Sequence, residues 1–281
     1  MNNSTFKFTT RESSTNFTTY SIGPLNHLEI CMYSISFLVG LPTHSYIIWL
    51  IITGTGSGIA SEFFMLSLSV CEIANALNTF FFVLSIWFSH FLILQMFLAG
   101  FSITGRPLFQ CLMCVERYLA VLHPVTFLKY KPLRYRVICS IVVWTITLGS
   151  CLCSIYVLVS FNNTGYAWFS ILQFVFYLSI QLFCLVAVLI ALKQSGPGER
   201  GRERKQENHM KRRAFNLILI TTVNMVMLYV PILISAIFTY LTKVNIQGAW
   251  DPSLFCYVMA GFVQPILYLH RSGKLPFFCF L

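Results

Sequence analysis

Charge is what this chain has least of. Only 10% of its 281 residues are Asp, Glu, Lys or Arg, against about a quarter in an ordinary soluble domain. A soluble chain of this length has too much surface to cover with so few charges. Acidic residues are the scarcest, nine against nineteen basic, for a formal net charge of +10. Disorder is excluded by the 57% hydrophobic content. Cysteine pairs with polar flanks are missing too: the ten cysteines nearly all fall in apolar runs. They read as packed thiols, with no zinc site and no disulfide framework. No Ser/His/Asp arrangement, HExxH or phosphate loop is present, so an enzyme is not expected and no cofactor is implied. Internal repeats are absent, as is a matching pair of Gly/Pro-broken helices, which argues against a transporter or channel.

What the chain has is long uncharged runs. Ile30–Ser61, Ile73–Gly105, Val137–Leu192, Ala214–Thr242 and Pro252–His270 hold no Asp, Glu, Lys or Arg. A helix needs about 20 apolar residues to cross roughly 30 Å of hydrocarbon. Ile30–Ser61 then holds one span and a small-residue loop, Thr53–Ser61. Glu62–Ile86 is the second span, Trp87–His90 a turn, and Phe91–Ala120 the third. Val137–Leu192 is long enough for two spans, broken at Asn162-Asn163-Thr164-Gly165. Ala214–Leu241 and Trp250–Leu269 bring the total to seven. The expected fold class is all-α, a seven-helix transmembrane bundle over 28–270, with an N-terminal segment 1–27 and a short tail 271–281.

The basic residues orient the bundle. Lys129, Lys131, Arg134 and Arg136 lie between spans three and four. Lys193, Arg200, Arg202, Arg204, Lys205, Lys211, Arg212 and Arg213 lie between five and six, and Arg271 and Lys274 follow span seven. Only Lys7, Arg11 and Lys243 fall on the other side. The positive-inside rule puts the N-terminus outside and the C-terminus inside. Sequons at Asn2, Asn3, Asn16 and Asn162 all fall on the expected outer side, as glycosylation requires. The polar N-terminus has no early apolar core, so no cleavable signal peptide is expected. The cations fit inner loops, which disfavours nucleic-acid binding.

Span three ends in Cys114-Val115-Glu116-Arg117-Tyr118-Leu119-Ala120-Val121-Leu122-His123-Pro124. Span seven ends in Gln264-Pro265-Ile266-Leu267-Tyr268, and span six carries Leu228-Tyr229-Val230-Pro231. Trp144 stands in span four, Leu66-Ser67-Leu68-Ser69-Val70-Cys71-Glu72 in span two and Gly40-Leu41-Pro42-Thr43-His44 in span one. In this order the set resembles the rhodopsin-like (class A) G-protein-coupled receptors, nearest the branch of purinergic-nucleotide, lipid and chemokine receptors. The resemblance implies that Glu116, Arg117 and Tyr118 couple to a heterotrimeric G protein. It implies an activation switch at Tyr229, Pro231, Gln264, Pro265 and Tyr268, with Pro231 as a kink and Tyr229 in the place of the usual Trp. Arg117 can pair with Glu116 or receive a partner helix. Where many relatives carry an acid at the inner end of span six, this chain has Lys211, Arg212 and Arg213, which removes a resting lock with Arg117.

Two charges lie deep. Glu72 is about 15 Å beyond Glu62, and Arg106 roughly 16 Å from Arg117 on span three. The depths match, and a lone charge at mid-bilayer is costly, so the two are expected to pair. With His44 and Gln264 they occupy positions that in relatives hold an internal sodium ion. The expectation is that Arg106 replaces the cation, so that titrating sodium leaves agonist affinity unchanged; a sodium-dependent shift would refute it. A pair that only joins spans two and three is the equal alternative. Pro107 removes a backbone bond to Ile103 and should kink span three there.

Neither Phe88–Phe101 nor the loop Phe161–Phe169 has a cysteine, so the disulfide that the resemblance implies between span three and the second outer loop is missing at both ends. Cys279, in the terminal Phe277-Phe278-Cys279-Phe280-Leu281, is a palmitoylation candidate or a packed thiol. The outer halves of the spans show no acidic anchor for an amine and no Arg for a phosphate or carboxylate, which favours an apolar or peptide ligand of unknown identity. The leading reading is a plasma-membrane receptor with membrane lipids, a G protein and an extracellular ligand as partners. A relative that binds without signalling is the alternative, and a transporter or channel, suited by Glu72 and Arg106, a more distant one.

Overall fold

The computed structural model describes residues 24–53, 59–88, 90–130, 133–160, 163–194, 201–242 and 251–271. Helices α1 (Pro24–Ile52), α2 (Ile59–Ser85), α3 (Phe91–Gly100), α4 (Arg106–Leu122), α5 (Pro124–Tyr130), α6 (Leu133–Ser160), α7 (Asn163–Gln194), α8 (Gly201–Thr242) and α9 (Asp251–Arg271) follow in order, with a π-helical turn, Phe101–Gly105, joining α3 to α4. No strand occurs among the described residues. Among the described residues, seven stretches are long and apolar enough to cross a membrane, the third being Phe91–Leu122 across α3, the π turn and α4. We number these as spans one to seven.

Span three is the axis. Its α4 segment packs on spans two, five and six, while α3 packs on spans two and four. Span one closes the bundle against two and seven, and six packs on five and seven. One core gathers Ile47, Leu68, Phe101, Phe109 and Cys151 around half-buried Trp144. A second joins Cys111, Phe174, Tyr177, Met225 and Tyr229. The outer surface is apolar as well: Trp49, Leu152, Phe183 and Ile234 are all exposed, the pattern of helices whose outer faces meet hydrocarbon. Hydroxyls in the spans bond back to their own helix, as Thr147 to the Val143 carbonyl (2.8 Å) and Thr222 to Ile218 (2.8 Å). With no water in the bilayer, they find acceptors in place.

Three features go beyond the sequence reading. α8 begins at Gly201 rather than Ala214, because Arg, Glu, Lys, Gln and Met are good helix formers and continue the helix past the membrane. α5, opened by Pro124 where a missing N–H costs nothing, is a short helix between spans three and four. Where a kink was expected at Pro107, the structure has a π turn just before it.

Candidate functional site

Arg106 and Glu72 meet at the centre of the bundle. Arg106 Nε and Nη2 donate to the two carboxylate oxygens of Glu72 in a bidentate pair. Both residues are almost wholly buried, at 2% and 4% exposure. Such fork-on-fork geometry is the strongest form of the ion pair and the one that suits guanidinium best. The guanidinium carbon lies 5.5 Å from the ring centre of Tyr257 on α9, within cation–π range. Tyr257 and Ser102 both donate to Asn75 Oδ1, one turn along α2 from Glu72. Spans two, three and seven are thus joined at one level. His44 is buried at 2% exposure with Nδ1 lacking a partner among the described residues.

Tyr229 completes the level from span six. Its hydroxyl lies 3.0 Å from the Ser102 carbonyl and 3.2 Å from that of Ile103. Both carbonyls belong to the π turn. The Arg106 N–H reaches back to Phe101 instead of Ser102, and Pro107 has no N–H to give Ile103. The turn therefore strips two carbonyls of their α-helical partners, and one shared phenol proton serves them. Tyr229→Phe is expected to destabilise the chain by about 1–3 kcal/mol, read as a fall in the thermal midpoint of the purified protein in detergent. An unchanged midpoint would show that the two carbonyls do not need the hydroxyl.

At the other end of span three, Arg117 lines a cavity of about 70 Å³ together with Glu62, Cys114, Thr221, Gln264 and Tyr268. Spans two, three, six and seven all contribute to it. Glu116 accepts a hydrogen bond from Arg136 Nη2 at the start of span four, a partner the sequence reading had counted only as a loop charge. Tyr118 OH lies 3.3 Å from His123 Nε2, just before α5. Pro231 stands inside α8 and Pro265 inside α9. Each described cysteine is a free thiol. Among the described residues, no cluster of His, Cys, Asp and Glu could hold a metal ion. Asn3, Asn16, Asn162 and Cys279 lie outside the described residues.

Asn75, Ser102, Tyr257 and Arg136 are the residues that sequence reasoning missed. Spacing offered a signal for two of them. Asn75 is three residues from Glu72 and Tyr257 seven from Gln264, both on one helical face.

Residues 44–268 match the family described as 7 transmembrane receptor (rhodopsin family). The chain belongs to that family, one of receptors rather than enzymes, and is a multi-pass membrane protein. Among its relatives is hydroxycarboxylic acid receptor 2 of Rattus norvegicus, 25% identical over 211 residues that cover 66% of this chain and 56% of the relative. Another is chemokine XC receptor 1 of Homo sapiens, 27% identical over 191 residues, covering 61% and 56%. The chain spans a little over half the length of these curated relatives.

Proposed function

We propose that this chain is a plasma-membrane receptor that passes the binding of an extracellular ligand to a heterotrimeric G protein. Its N-terminus lies outside, glycosylated at Asn3, Asn16 and Asn162. Its tail lies inside, with Cys279 as a lipid attachment point. The observation that carries the reading is the cavity at the Arg117 end. A guanidinium stands in a mouth framed by spans two, three, six and seven, where it can cap the carbonyls of an incoming helix. At about 70 Å³ the mouth is far too small for a helix about 10 Å across, so this is a closed conformation and coupling requires span six to swing away. Tyr229 and Pro231 on span six, and Gln264, Pro265 and Tyr268 on span seven, are the elements that move. Glu116, held by Arg136, and Tyr118, beside His123, set the shape of the mouth.

For the ligand, an apolar or peptide molecule fits better than a small acid. The one guanidinium deep in the spans is already occupied on two nitrogens by Glu72. In this respect the chain is closer to a receptor for chemokines, as one relative is named, than to one for hydroxycarboxylic acids, as the other is. The test is nucleotide exchange on purified G proteins by the receptor in lipid nanodiscs, basal and with a panel of peptide and lipid ligands. Wild type should stimulate exchange, and Arg117→Ala should lose about tenfold or more through loss of charge-assisted hydrogen bonds. No stimulation by wild type under any condition would leave the non-signalling alternative standing.

A further inference from the structure

The side of the bundle carries a cavity that coupling at Arg117 does not use. It holds about 340 Å³ and lies between spans three and five. Val115 and Tyr118 form one wall, and Phe176, Ser179, Ile180 and Phe183 the other. It opens sideways: Phe176 and Phe183 are 60% and 62% exposed, and both spans are of membrane-crossing length. A molecule therefore reaches it from the hydrocarbon of the bilayer rather than from water. Ligand pockets run from roughly 300 to 1,000 Å³ and are lined mostly by apolar side chains with a few placed polar groups. This cavity meets both conditions.

Its polarity is confined to one end. The Ser179 hydroxyl donates to its own helix, to the Val175 carbonyl at 2.7 Å. The Tyr118 hydroxyl turns away from its helix and lies 3.3 Å from His123 Nε2. The two rings meet edge to face with centres 5.6 Å apart. Tyr118 is about 6 Å from the end of span three, and His123, just beyond that end, is exposed. With the imidazole hydrogen on Nε2, His123 donates to the phenol oxygen, and the phenol proton is left for an acceptor in the groove. The same end of the bundle is cationic. Arg134 at the start of span four and Lys193 in the last turn of α7 are both exposed there.

The volume restricts the occupant to one chain. A methylene needs about as much room as a water molecule, roughly 30 Å³, so 340 Å³ accepts about eleven of them. That is most of one long acyl chain and too little for a sterol or for both chains of a phospholipid. We propose that the groove between spans three and five binds a long-chain fatty acid taken from the bilayer. Its chain lies along Phe176, Ile180 and Phe183, and its carboxylate accepts the Tyr118 hydroxyl at the cationic end. The chain only exchanges one hydrocarbon surrounding for another, so the head group supplies the selectivity. Tyr118 directly follows Arg117, so a bound chain packs on the coupling triplet without entering the bundle. That consequence for signalling rests on the receptor reading; the binding does not.

The experiment uses a palmitic acid analogue with a diazirine in its chain. It is added to the full chain in phosphatidylcholine nanodiscs, irradiated, and its adducts are mapped by mass spectrometry. Adducts should fall on Ile180 and Phe183 well above those on Leu152, an exposed residue of span four. Palmitate should compete them away, and its methyl ester, which keeps the chain and loses the charge, should not. Ser179→Phe, at an exposed position, fills the groove and should abolish the adducts. Tyr118→Phe should reduce competition by palmitate to that of the ester. Labelling no stronger than at Leu152 would mean that the groove holds bulk lipid only, and overturns the proposal. Adducts that survive Ser179→Phe do the same. An ester that competes as well as the acid, or palmitate competition untouched by Tyr118→Phe, overturns the carboxylate and with it the fatty acid. No G protein enters these readouts, so their failure is distinct from a failure of coupling.

Discussion

Arg106→Met, made alone, should cost about 3–5 kcal/mol and strip most of the folded receptor from the membrane, because it leaves the Glu72 carboxylate buried without its guanidinium. Glu72→Leu alone should do comparable damage from the other side. The double variant Glu72→Leu/Arg106→Met should recover most of the loss, since replacing a whole buried ion pair by apolar groups of similar volume is often neutral. The measurement is thermal unfolding of the four proteins in one detergent, analysed as a double-mutant cycle. A double variant no better than the worse single variant would mean that the pair is needed for more than mutual neutralisation. The contacts of Arg106 beyond Glu72 bound that outcome. Its guanidinium also lies against the Tyr257 ring, and a Cβ on Gly261 would stand 3.5 Å from Nη2, so a small residual deficit in the double variant is expected from lost packing.

The second large effect comes from a single methyl group. A Cβ placed on Gly100 would lie 2.6 Å from the Cys151 Cα and 2.7 Å from its backbone nitrogen and Sγ. Spans three and four touch backbone to backbone there, as small residues permit in membrane helices. A side chain can rotate away from such an intrusion, but a helix backbone cannot, so Gly100→Ala should push the two spans apart. The expected cost is about 3 kcal/mol, the upper end for overpacking. It should appear as a lower thermal midpoint and a lower yield of folded protein. Gly149 is the matched control on span four. A Cβ there meets nothing within 4 Å, so Gly149→Ala should be neutral or, through helix propensity, stabilise by up to about 1 kcal/mol. Equal behaviour of the two variants would remove the close approach as the cause.

Much of the bundle was legible before any coordinates. Uncharged runs located the seven spans, but of the turn expected over Asn162-Asn163-Thr164-Gly165 the last three residues are the first of α7. Depth counted in residues put Glu72 and Arg106 at one level, and the structure pairs them. Hydropathy does not measure helicity, however, and this hid α5 and the polar start of α8. Pro107 located the fault in span three but not its kind: a kink was expected and a π turn is found, since both answer a missing N–H. Arg136 was lost in a crowd. The positive-inside reading treats loop cations as one population, and nothing in the sequence says which of them turns inward to Glu116. Asn75, Ser102 and Tyr257 are neutral polar residues of kinds that recur in every span, so only contact distinguishes them.

The length of α8 has a mechanical consequence. Pro231 lies thirty residues from Gly201 within one continuous helix, an arm of about 45 Å. A change of about 10° in the bend at Pro231 would carry the Gly201 end through roughly 8 Å, while Tyr229, two residues from the pivot, would scarcely move. The helix works as a lever with its fulcrum beside the π turn, so a displacement too small to open a gap at the bundle centre becomes a sweep wider than a side chain at the basic end.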